Sequence, residues 1–175
     1  IPEGVTSIAA KAFSGMNALE TLNLPASLKT VGSDGTWFGE MFVNVSSTGT
    51  PQATPAKLTA VNVADGGSTY SSADGVVYSA DASTLIYCPA VKTSIKFSDK
   101  TTAIDKYAFY KSSIEKMQLP DSLESIGKMA FMNSSVRYLE FPGTMKTIDQ
   151  EAFFNAQLRS VDLNEGLETI GDRAF

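Results

Sequence analysis

The dipeptide Ala-Phe recurs at 108–109, 130–131, 152–153 and 174–175, each pair 22 residues after the last. The run Ser122-Leu123-Glu124-Ser125-Ile126-Gly127-Lys128-Met129-Ala130-Phe131 returns in pattern from Thr144 to Phe153 and from Gly166 to Phe175. Shorter copies span Thr101 to Phe109 and Gly4 through Ala12-Phe13. A unit this small cannot bury its own apolar face, so it must stack against copies of itself. Units start at Ile1, Leu24, Val63, Phe97, Leu119, Phe141 and Leu163. Together they account for the chain as one repeat domain, 1–175, with insertions within 37–57 and 66–90.

Each unit also carries a Leu-x-x-Leu-x-Leu triplet. The best are Leu19/Leu22/Leu24, Leu58/Val61/Val63, Ile114/Met117/Leu119, Val136/Leu139/Phe141 and Leu158/Val161/Leu163. Residues two apart in a strand point to one face, so the last two members of each triplet turn into a shared core. The spacing predicts a leucine-rich-repeat solenoid of the α/β repeat class. One parallel β-strand per ~22-residue repeat is expected, with short helical or 3₁₀ turns on the opposite face whose Phe plugs the core. Pro2, Pro25, Pro120 and Pro142 follow the strand, where a missing N–H is tolerated. Within the third unit a β-hairpin is predicted near 74–88, with apolar runs Val76–Tyr78 and Leu85–Tyr87 around a polar turn. The unit from Leu24 lacks its Ala-Phe, and Trp37-Phe38 with Phe42 is expected to substitute.

The string Leu-Pro-x-x-Leu-x-x-Ile-Gly-x-x-Ala-Phe closely resembles the BspA-type leucine-rich repeat, also called treponemal. The resemblance covers nearly the whole chain, and the third unit looks like the longer variant of these repeats. That family often has Cys three residues after the Ala-Phe phenylalanine. This chain has Met16, Ser112, Ser134 and Ala156 there, so no family role for that thiol carries over. The resemblance implies a surface or secreted protein, mostly of bacteria living on animal hosts, several of which act as adhesins. An extracellular binding or adhesion module for a host protein or glycan is the expectation. A structural spacer that projects another domain from the cell surface is the alternative.

Composition narrows the chemistry. The net charge of −5 argues against nucleic acid as a partner. The chain has no His and one Cys, which removes His-based nucleophilic sites, His-ligated metals and an internal disulfide. No run approaches a membrane span, so no membrane insertion is expected of these residues. The start Ile1-Pro2-Glu3-Gly4 has neither Met nor the pattern of a signal peptide, and reads as part of a longer or processed protein. No cofactor is indicated. Catalysis has no residue-level support, because Glu115, Glu124, Glu140, Asp149, Glu151 and Asp162 fall at repeat positions expected to be solvated.

The remaining candidates divide between core and surface. Phe13, Phe109, Phe131, Phe153 and Phe175 read as a core ladder rather than a ligand stripe. Cys88 reads as a small buried hydrophobe, with a reactive thiol as the alternative. Asp65, Asp74 and Asp81 read as turn residues, with a Ca²⁺ site as the alternative. Gly66-Gly67 lacks the pattern of a phosphate cradle. Asn44-Val45-Ser46 and Asn133-Ser134-Ser135 are formal glycosylation acceptors. Trp37 either packs its own insertion or stacks on a sugar.

Residues alternating with the triplets point outward and line up across repeats. They include Thr21 and Asn23, Ala60 and Asn62, Ser94 and Lys96. The candidate ligand contacts on this concave sheet face are Lys116, Gln118, Tyr138, Glu140, Ser160 and Asp162, and Tyr138 is the aromatic among them. An ordinary solvated sheet face is the competing reading. Without polar caps the two ends are expected to expose apolar edges and self-associate end to end. Static light scattering should show mass rising with concentration; a strict monomer at high concentration would count against the association.

Overall fold

The computed structural model describes residues 1–32, 37–42 and 55–175. The Asn44 acceptor and most of the polar stretch from Ser46 to Pro55 lie outside the described residues. The chain winds into a β-solenoid of stacked coils with little helix. Its strands are β1 (Ser7–Ile8), β2 (Thr21–Leu24), β3 (Thr30–Val31), β4 (Ala60–Val63), β5 (Tyr70–Ala73) and β6 (Val76–Ser79). They continue as β7 (Thr84–Tyr87), β8 (Ala103–Ile104), β9 (Ser125–Ile126), β10 (Thr147–Ile148) and β11 (Thr169–Ile170).

One sheet of seven strands has the order β11-β10-β9-β8-β7-β6-β5. Strands β7 to β11 pair in parallel, in a register that places Ile104, Ile126, Ile148 and Ile170 side by side. Ile104, Ile126 and Ile148 are buried, as one face of a stacked sheet requires. The continuous sheet therefore runs through the Ile of each unit and not through the triplet. The triplet segments pair as strands only at β2 and β4. Farther along, pairing there shrinks to a single parallel bridge, Lys116 to Tyr138. Proline removes one of the ladder bonds. The β2–β4 ladder is extended by the N–H of Ala64, which donates to the Leu24 carbonyl at 2.9 Å. The equivalent positions after Leu119 and Phe141 are Pro120 and Pro142, which have no N–H to donate.

Among the described residues the turns opposite the triplets are not helical, except for a 3₁₀ helix at Phe38–Met41. Left-handed residues prevent it. Tyr107, Met129, Glu151 and Arg173, each just before Ala-Phe, have φ of 57, 55, 55 and 51°. Lys111, Asn133 and Asn155, two residues after the Phe, have φ of 55, 59 and 55°. Each such non-glycine costs about 1–2 kcal/mol. The return is an alternation of hydrogen bonds. The N–H groups of Met129, Phe131 and Asn133 donate to Gln150, Ala152 and Phe154 of the next coil, at 2.7–3.0 Å. Those of Ala130, Met132 and Ser134 donate back to carbonyls three residues earlier in their own coil. Every N–H of the arc is thus satisfied, half of them between coils.

This spacing stacks the phenylalanines. Ring centroids of Phe109 and Phe131 lie 4.7 Å apart, Phe131 and Phe153 4.9 Å, Phe153 and Phe175 5.3 Å, with planes within 7° of parallel. Ala108, Ala130 and Ala152 beside them are fully buried, so a larger side chain has no room. Phe175, stacked on Phe153, is half exposed. At the other end Phe13 is half-buried and its N–H donates to the Met41 carbonyl at 2.8 Å. That bond puts Met41-Phe42 in the Ala-Phe slot of the second unit, with Phe42 6.2 Å from Phe13. In the third unit the N–H of Cys88 donates to the Ala108 carbonyl at 2.9 Å, so Cys88 fills that slot.

The predicted hairpin is present as antiparallel β6–β7, with a bulge at Val77 and Tyr78. A further strand, β5, pairs with β6 across Asp74-Gly75. Both turn residues have positive φ, 50 and 70°, which suits a tight two-residue hairpin. This meander divides the interior. Val76, Tyr78 and Leu85 pack into the core of the later coils, whereas Val77 and Tyr87 pack into the core of the earlier ones. A strand buried on both faces explains why its sequence, Val76-Val77-Tyr78, does not alternate.

Truncating the middle of the ladder should be costly. Phe131→Ala is expected to lower stability by about 3–5 kcal/mol, read from chemical denaturation. A loss below about 1 kcal/mol would mean that the stack contributes little to the fold.

Candidate functional site

The outward residues of the triplet face are set by strand alternation. Met117, Leu119 and Leu139 point inward and are buried. Lys116, Gln118, Tyr138, Glu140, Ser160 and Asp162 point outward and are exposed. The parallel bridge sets Lys116 beside Tyr138 in adjacent coils. All six line a row of three surface depressions. The central one, about 340 Å³, is bordered by Lys116, Gln118, Tyr138, Glu140 and Ser160. It shares Gln118 with a depression of about 520 Å³. On the other side it shares Glu140 and Ser160 with one of about 390 Å³ that also includes Asp162.

Tyr138 is 47% exposed, with its ring held in place from the next coil. Arg159 donates from Nη1 to the Tyr138 hydroxyl at 3.2 Å, and its guanidinium carbon sits 5.8 Å from the ring centroid. Arg137 forms an ion pair with Glu115 at 3.3 Å and donates to the Gln157 side chain at 3.4 Å. The sequence reading missed this supporting column. Glu115, Arg137 and Arg159 stand 22 residues apart, just before the bridge residues, so the repeat spacing alone could have found them.

Other candidates resolve into packing. Trp37 is buried, with its ring 4.7 Å from that of Tyr107, so it offers no face for stacking on a sugar. Asp74 pairs with Lys92 at 3.2 Å. Asp81 accepts hydrogen bonds from the Ser79 hydroxyl at 2.6 Å and the Ser83 N–H at 3.0 Å, which lower its pKa to about 2. Those acids do turn work, and no group of three metal-ligating side chains occurs among the described residues. Asn133 accepts a hydrogen bond from the Asn155 amide at 2.8 Å. At the position where the family often has Cys, Ser112 and Ser134 are 1% exposed, whereas Met16 is 46% exposed. Burial raises the pKa of Asp105, a group that follows β8 and lies away from the triplet face.

The family model for the BspA type leucine-rich repeat region matches residues 1–38 and 83–175, in 6 copies. A search of curated proteins finds no match. Among solved structures, the pneumococcal vaccine antigen PcpA superposes with a TM-score of 0.75 at 30% identity, covering 95% of this chain and 38% of that one. A leucine-rich cell surface protein from Faecalibacterium prausnitzii gives 0.73 at 27% identity, covering 99% of this chain and 43% of that one. A leucine-rich repeat protein from Eubacterium ventriosum gives 0.51 at 14% identity over 100% of this chain and 63% of that one, a likeness of fold alone. The chain thus spans roughly two fifths of the length of the first two.

Cys88 allows a check on the packing that needs no ligand. It is 1% exposed, and desolvation pushes its thiol up to about 12. At pH 8 the folded protein should react negligibly with a colorimetric disulfide reagent, and one thiol should appear on adding denaturant. Rapid reaction of the native protein would restore the reactive-thiol alternative.

Proposed function

Because the chain belongs to the BspA type leucine-rich repeat family, we propose that it is a binding module of a cell-surface protein, and that its ligand docks on the triplet face around Tyr138. The observation that carries this reading is the exposure of Tyr138. Most aromatic rings of the stack are buried or half-buried; of the exposed ones, Tyr138, Phe154 and Phe175, Tyr138 stands on the triplet face, at the centre of three connected depressions and propped by Arg159. A rigid, half-exposed aromatic gives contact area at low entropic cost. The names of two structural neighbours, a vaccine antigen and a cell surface protein, support a surface location. No helix among the described residues is long and apolar enough to cross a membrane.

A non-enzymatic role fits the same face. Glu140 and Asp162 on it are exposed to solvent. The fold is one that serves binding or scaffolding. A spacer role remains the rival reading, and the two differ in what a surface substitution does.

Tyr138→Ala should leave the melting temperature unchanged and weaken saturable binding to matrix proteins or glycans more than tenfold, about 1.4 kcal/mol. Binding that survives the substitution would move the site off this face. An absence of binding across the whole panel would favour the spacer.

A further inference from the structure

Resting on the binding-module reading, we infer that the groove on the triplet face takes a neutral, extended β-linked oligosaccharide lying along the solenoid axis, one sugar ring per coil. Three features lead there. First, the depressions follow one another coil by coil and share Gln118, then Glu140 and Ser160, so they form one groove rather than separate pits. Second, the stacked phenylalanine rings of successive coils stand 4.7–5.3 Å apart on the Ala-Phe arc. That is close to the advance per ring in an extended β-1,4-linked glycan, so coil and sugar keep step over several units. Third, successive coils present Gln118, Glu140 and Asp162 at the same position. Their planar amide and carboxylate groups suit paired hydrogen bonds to neighbouring hydroxyls, one set per ring.

Tyr138 supplies the apolar part of recognition. Its ring gives the C–H face of a pyranose a surface to lie on, and Arg159 keeps that ring in place. Charge then selects within glycans. Arg137 is neutralised by Glu115, and Lys116 shares the central depression with Glu140. Lys96 and Lys116 line the groove together with Asp99, Asp121, Glu140 and Asp162, so acids outnumber lysines there, and the chain as a whole carries −5. A sulfated or uronate polymer would meet net repulsion at longer range. Apolar side chains share the lining, among them Phe97, Leu119, Leu139 and Phe141, so a protein partner is the competing occupant that the test must separate.

The test uses calorimetric titration of the whole chain with cello- and chito-oligosaccharides of one to five rings, with a heparin-derived oligosaccharide as the charged control. Affinity should rise with each ring to about three, the number of depressions, and then level off. Tyr138→Ala should reduce trimer affinity at least tenfold, Tyr138→Trp should retain it, and Gln118→Ala should lower it several-fold. Unchanged melting temperatures would establish that each variant is folded. Affinity independent of length, or tighter binding of the heparin fragment, would overturn the inference. Binding of a matrix protein through Tyr138 with no response to any oligosaccharide would overturn it while leaving the binding-module reading intact. If neither a matrix protein nor an oligosaccharide binds, both fall.

Discussion

The fixed distance between coils governs this molecule. Aromatic rings in van der Waals contact and backbone hydrogen bonds between coils require nearly the same separation, and the Ala-Phe arc meets both at once. Phe131 stacks between Phe109 and Phe153 while its own N–H bonds to the Ala152 carbonyl. The small Ala beside each Phe keeps the backbones close enough for the bond. On the other side of the coil the Ile strands are held by bonds of opposite sense, in which Gly127 donates back to Ile104 and Asp149 back to Ile126. Each coil is therefore clamped to its neighbours at two places around its circumference, and register cannot slip at one without breaking the other.

Local conformation is sacrificed to that clamp. A left-handed residue before every Ala-Phe is unfavourable for Tyr107, Met129 or Glu151 considered alone. It persists because it turns alternate N–H groups outward to the next coil, so that the backbone donors of the arc are bonded. The meander at β5 to β7 is the other departure from simple repetition. By feeding one face to each core cluster, it joins the early and late coils. Its slot in the phenylalanine column is filled by Cys88, a small side chain that fits where the hairpin crowds the interior.

The outward face of the triplets is free of these demands. Interior positions carry nearly the same residue from coil to coil, whereas the outward columns change: Lys116, Tyr138 and Ser160 in one, Gln118, Glu140 and Asp162 in the next. A solenoid converts such columns into a flat array with one side chain per coil, at a spacing set by the core. Recognition on this face is thus a matter of which side chains occupy the columns, with the scaffold contributing distance and rigidity.

Much of this was legible in the residues themselves. The recurrence of Ala-Phe every 22 residues settled the stacked architecture, the core ladder and the outward alignment of Lys116, Tyr138 and Ser160, because periodicity reports directly which positions face a neighbour. The hairpin runs around Ser79 were legible for the same reason of pattern. Three things were decided only in three dimensions. The continuous sheet runs through the Ile column and not through the triplets, a choice visible only once coils are placed in register. The arc is a chain of turns with left-handed residues, not helix, because hydrogen bonds to the next coil outweigh the local preferences of Met129 and Glu151. And Arg159 holds Tyr138 because stacking sets residues 21 apart in sequence side by side, a contact that no local propensity encodes.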